Sequence, residues 1–238
     1  MAQSDHTECI DNLAVGSIKW VASGAFPTPD GGGTFCFAWK SLDATPGLST
    51  RFFNGAGLAP APAGGIIQAA MKRGTGSGTT GFAPFIAICM GGTSNTDTAY
   101  MLGLADGDPS HLVLRKGSLV GGLPDVEPGN QGILWRSTDV FAVNTWVHVR
   151  LMAAVNLNGD VVLSVWINTG ASVEQVDQNW VQVAGINMLG DTGSGITDDA
   201  AGINTGSPSL TSGNIGWGFW KNNVNRVAYI DHIEAVAQ

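Results

Sequence analysis

Residues 144–168, NTWVHVRLMAAVNLNGDVVLSVWIN, constrain the fold more than any other stretch of the chain. Two runs rich in β-branched and aromatic residues flank the pair Asn158-Gly159. Asn-Gly suits the positive-φ positions of a tight hairpin turn. In the first run Trp146, His148 and Arg150 alternate with Val147, Val149 and Leu151; in the second, Val161, Leu163, Val165 and Ile167 fall on one face. Side chains of a strand alternate between faces, so the spacing predicts a long antiparallel hairpin with one buried face. Its length and apolar content place it inside a sheet rather than at an edge.

The same style of patterning runs along the chain. Strands are expected at about 13–22, 34–40, 48–53, 65–73, 82–90, 99–105, 111–116, 132–136, 146–156, 161–168, 180–184, 214–220 and 226–236. Segments such as PTPDGGG, GTGSGTTG and GSPSLTSG separate them. Many short strands between Gly- and Pro-rich turns predict an all-β sandwich or barrel, and the length of 238 residues suits one such domain over 1–238. IIQAAMKR at 66–73 has some helical character but is short and bounded by glycines, so a strand is expected there. Two long segments, 119–130 and 185–212, read as loops, and long loops in a compact domain tend to be functional.

Charge and composition exclude several functions. The formal net charge is -8 and the 11 basic residues are scattered, which argues against nucleic-acid binding and an anionic-membrane surface. No run reaches the ~18 apolar residues of a membrane span. The start, MAQSDHTECID, has neither the basic nor the apolar region of a secretory signal. Cys36 and Cys89 lie inside apolar runs, and an odd total with Cys9 reads as reduced thiols and folding in a reducing cytoplasm.

No motif for catalysis emerges. Asp231 and Glu234 are an odd number of residues apart, so a regular strand sends them to opposite faces. Asp198-Asp199 and Asp106/Asp108 read as solvated turn acids. His148 and His232 read as structural histidines, and RGTGSGTTG lacks the Gly-Lys-Ser/Thr ending of a phosphate loop. Of the 8 tryptophans, Trp146, Trp166, Trp217 and Trp220 sit in strands and read as core, whereas Trp180 in DQNWVQV is the candidate carbohydrate contact. No cofactor is expected.

The hairpin, together with GWGF at 216–219 and RVAYIDHIEAVAQ at 226–238, resembles laminin-G-like and concanavalin A-like β-sandwiches. The resemblance covers about 130–236. It implies a two-sheet antiparallel jelly roll whose closing strand returns beside the first. It also implies a rim Ca²⁺ in some members, for which Asp97, Asp106, Asp191 and Asp198 are available without a choice among them. The front half, with MKRG at 71–74, GFAPFIAI, YMLGLADGDPSHLVLRKG and GILWRS, is similar to tailed-phage virion proteins on this fold. That resemblance implies a non-enzymatic structural protein of a virion (tail tip, baseplate or capsid-associated), made in the host cytoplasm. Its partners would be other virion proteins, copies of itself and, in an adhesion role, a cell-surface glycan. Leu119, Val120, Leu123, Ile186, Met188, Leu189 and Ile196 in the two long loops are then the candidate assembly contacts. The alternative is a carbohydrate-binding, lectin-like module.

Overall fold

The structure is a computed structural model. It describes residues 18–22, 35–40, 47–53, 61–62, 65–74, 82–91, 98–105, 109–118, 129–170, 178–183, 196–202, 207–221 and 227–237. Those residues form two antiparallel sheets and no helix.

The first sheet runs in the order β1 (Ile18–Ala22), β2 (Phe35–Lys40), β15 (Val227–Ala237), β5 (Gly65–Arg73), β10 (Val147–Val155), β11 (Val161–Asn168) and β12 (Trp180–Gln182). The short β13 (Ile196–Asp198) also pairs with β11. The second sheet runs β3 (Gly47–Phe53), β14 (Ser212–Lys221), β6 (Phe82–Met90), β7 (Thr98–Leu104), β8 (Ser110–Ser118) and β9 (Ile133–Phe141). β4 (Ala61–Pro62) adds to β14. The arrangement is a jelly-roll sandwich of the concanavalin A-like class. The expected strands are present, and β13 and β4 are additional to them. β15 closes the fold beside β2 and β5 rather than beside β1.

The core lies between the sheets. Ile67, Ala69 and Met71 of β5, Val149 and Leu151 of β10, and Leu163 of β11 meet Ile86, Ile88, Leu102, Leu114 and Phe219 of the second sheet. Val147, Val149 and Leu151 do share the face opposite Trp146, His148 and Arg150, and β10 is interior to its sheet. The second sheet is also buried on its far side, where Phe85, Ala87, Met101, Val113 and Trp220 form a second cluster. Burial on both faces explains the near-continuous apolar run FAPFIAICM in β6, against the alternation in β10 and β11.

The β10–β11 turn differs from the two-residue form. Asn156 N–H donates to Asp160 O at 2.9 Å and Gly159 N–H to Asn156 O at 3.0 Å, closing a three-residue loop. Gly159 takes φ 83°, whereas Asn158 has no positive φ. The Asn156 side chain completes the turn by accepting from the N–H groups of Asn158 and Asp160. A type I turn followed by a left-handed glycine gives this loop length.

Candidate functional site

The outward face of the first sheet carries a contiguous group of polar and aromatic side chains. Strand pairing orders them in rows. Glu234, Gln68, Arg150, Trp166 and Gln182 lie in register across β15, β5, β10, β11 and β12. In the next row Asp231 pairs with Ala70 and Ala70 with His148. Lys72 and Tyr229 follow, with Trp146 alongside.

A β-bulge makes this face possible. β15 shifts register between Asp231 and Glu234, and His232 there takes φ 48°. The extra residue restores alternation, so Ile233 enters the core and Asp231 and Glu234 share the outer face. The expectation of opposite faces is therefore overturned. Their partners Ala70 and Gln68 are two residues apart, which sets the two acids roughly 7 Å apart along the strand.

Within the first row the side chains clamp one another. Arg150 donates from Nε and Nη2 to Gln68 Oε1 at 2.9 and 2.8 Å, and Gln68 Nε2 donates to Glu234 Oε2 at 2.9 Å. The Arg150 guanidinium stacks 4.1 Å from the centre of the Trp180 ring. Trp180 is half-buried, donates from Nε1 to Gln178 Oε1 at 2.9 Å, and packs against His148 with ring centres 4.6 Å apart. Trp180 therefore belongs to this face, as a wall carrying the guanidinium rather than as an open platform.

Trp146 and Trp166 depart from the core assignment; both are half-buried on the outer face. Trp217 and Trp220 are buried as expected. Lys72 Nζ sits 4.8 Å from the Trp146 ring centre and 4.4 Å from that of Tyr229. Alternation alone could not separate the two groups, because a tryptophan fits either face of a strand.

His148 is 6 % exposed. Asn168 Oδ1 accepts from the backbone N–H groups of Gly170 and Asn179, at 2.8 and 2.7 Å, which orients its amide. Its Nδ2 therefore donates to His148 Nδ1 at 3.0 Å. That bond places the imidazole proton on Nε2. Burial, with His232 and Arg150 nearby, pulls the His148 pKa down to about 4, so the ring is neutral at physiological pH. His148 Nε2 and Asp231 Oδ2 are buried without a hydrogen-bond partner. Asp231 Oδ2 lies 3.3 Å from His232 Nδ1, without hydrogen-bond alignment.

The other expected sites fare differently. Ile196 is 2 % exposed and belongs to the core, because β13 pairs with β11 and turns it inward; it is not an exposed assembly contact. Leu119, Val120, Leu123, Ile186, Met188 and Leu189 lie outside the described residues. Asp198 is neither a solvated turn acid nor a free rim ligand. It is fully buried, 2.7 Å from Lys116 Nζ, and accepts from Tyr100 OH at 2.5 Å. Asp97, Asp106 and Asp191 lie outside the described residues. Among the described residues no group of His, Cys, Asp and Glu is arranged to hold a metal ion.

No protein-family model matches the chain, and no curated protein matches its sequence. Among solved structures the fold is similar to that of a cellulose-induced protein, with TM-score 0.56 and 15% identity over 98% of this chain and 93% of that one. It is also similar to the alginate lyase of Aplysia kurodai, with TM-score 0.52 and 11% identity over 93% of this chain and 87% of that one. An endo-beta-1,4-glucuronan lyase from the fungus Trichoderma reesei gives TM-score 0.51 and 11% identity over 96% of this chain and 90% of that one. At these identities the likeness is one of fold.

Proposed function

We propose that this protein is a non-catalytic carbohydrate-binding β-sandwich that holds its ligand on the outer face of the first sheet. The observation that carries the reading is the row Glu234–Gln68–Arg150–Trp166, which sets an aromatic ring beside planar hydrogen-bonding groups already fixed by one another. Sugar rings present apolar C–H faces and a rim of hydroxyls, which such a surface complements. Preorganised side chains on strands lose little freedom on binding. Two of the similar structures are named for polysaccharide lyases, which is consistent with a saccharide ligand. The virion-assembly expectation gains no support from these observations.

The non-catalytic part of the reading rests on His148. Its Nδ1 lone pair is engaged by Asn168 and its Nε2 carries the proton, so it lacks the free lone pair that a general base needs. A hydrolase is the second reading, favoured by the bulge that brings Asp231 and Glu234 to one face.

The test is a titration of intrinsic fluorescence and heat against a broad panel of oligosaccharides. Binding to at least one, weakened about tenfold or more in Trp166→Ala, is the expected result. Silence across the panel overturns the reading. New reducing ends appearing from a bound polysaccharide, and lost in Glu234→Gln, would establish the hydrolase instead.

A further inference from the structure

The chemistry of the centre of this face specifies the class of glycan, an inference that rests on the carbohydrate-binding reading. Ala70 sits between His148 and Asp231 in the pairing of β10, β5 and β15. Its small side chain separates a hydrogen-bond donor, His148 Nε2–H, from an acceptor, Asp231 Oδ2, and neither makes a hydrogen bond among the described residues, with His232 Nδ1 standing 3.3 Å from Asp231 Oδ2 out of alignment. His148 is 6 % exposed and the Asp231 side chain 13 %. Buried polar atoms without partners carry a large desolvation cost, and their place in a native site calls for a group that satisfies them.

We propose that the ligand is a neutral, hydroxyl-rich glycan, one hydroxyl of which accepts from His148 Nε2–H and donates to Asp231 Oδ2 above Ala70. A hydroxyl supplies both functions at one atom. A carboxylate or sulfate accepts only, and would face the Asp231 carboxylate as a like charge. The cations of the face are engaged by the protein itself: Arg150 by Gln68 and the Trp180 ring, Lys72 by the rings of Trp146 and Tyr229. With His148 neutral, Lys72 and Arg150 balance Asp231 and Glu234, and the chain as a whole carries -8. An anionic polymer finds no net attraction there.

Both atoms are closed to solvent in the protein alone, so the ligand must part the side chains beside them. His232 is placed to yield: it stands on the bulge, its side chain is 30% exposed, and it contacts Asp231.

The test compares matched neutral and uronate oligosaccharides of gluco, manno and galacto configuration by isothermal titration calorimetry. It uses the full chain, His148→Gln and Asp231→Asn. The expected result is binding of a neutral oligosaccharide at least about tenfold tighter than its uronate counterpart. His148→Gln should weaken that binding about tenfold, and Asp231→Asn should narrow the preference by admitting the uronate. In ¹⁵N-labelled protein, the His148 Nε2–H resonance should shift and exchange more slowly on adding the neutral ligand, a readout independent of how well a variant folds. Equal or tighter uronate binding overturns this inference and leaves the carbohydrate reading standing. Neutral binding that neither variant nor resonance registers overturns the placement above Ala70. Absence of binding to any oligosaccharide overturns the carbohydrate reading itself.

Discussion

Leu163 is completely buried between β10, β13 and the second sheet, so its side chain has no solvent to expand into. Leu163→Ala should lower stability by ~2–5 kcal/mol, read as a shift in the denaturant midpoint; an unchanged midpoint would mean the face is not core. His148 makes an opposite kind of prediction. Its folded pKa of about 4 lies below the unfolded value near 6.5, so its contribution is complete above pH 6.5. As pH falls from 6.5 through 4 the unfolded chain takes up a proton that the folded chain refuses, and stability drops by up to about 3 kcal/mol. Denaturant titrations across that window should show the slope in the native chain and a reduced one in His148→Gln. The sequence marked Leu163 correctly because alternation in a half-buried strand is informative. It could not mark His148 as an orphaned donor, since that depends on Asn168 being held by the backbone of Gly170 and Asn179.

The bulge in β15 shows what strand patterns conceal at the level of the element. Counting residues sends Asp231 and Glu234 apart; one residue in the left-handed region brings them together. No residue type announced it, because the position is occupied by histidine and not by the glycine that usually marks such a bulge. Deleting His232 leaves a regular strand in which Asp231, Ile233 and Glu234 keep their faces. The deletion should therefore fold with a thermal midpoint within a few degrees of the native one, since removal of a strained residue worth ~1–2 kcal/mol offsets the lost local twist. A collapse in stability would show that the bulge supports the sheet rather than only the site. The strand β13 was hidden for a related reason: ITD is too short to carry a period, and its burial comes from pairing with β11.

Across the whole molecule, two buried cations tie the sheets together at opposite ends of β8. Arg73 of the first sheet donates to Ala105 O at 3.1 Å and to Ser110 Oγ. Lys116 of the second sheet reaches Asp198 of β13 at 2.7 Å and Ser207 O at 2.6 Å. Asp198→Ala strips a buried cation of its counter-charge and should cost ~3 kcal/mol or more, with protease sensitivity rising first around 199–210. Uniform protection of that stretch in the variant would show that it is held without the Lys116–Asp198 pair, by contacts such as Ser209 Oγ to Gly159 O and Leu210 N–H to Tyr100 OH. The sandwich itself was legible from periodicity and turn residues, which are local. These ties join residues 32 and more positions apart, and no local pattern encodes them.

Because the candidate surface is built on strands, it has an arithmetic. On β5, β10, β11 and β12 every outward position is even-numbered: 66 to 72, 148 to 154, 162 to 168, and 180 and 182. A library randomised at those positions would draw its variety from one face and leave the interior intact, whereas the same diversity one residue over would empty the core. The protein thus offers a surface that can be rewritten without renegotiating its fold.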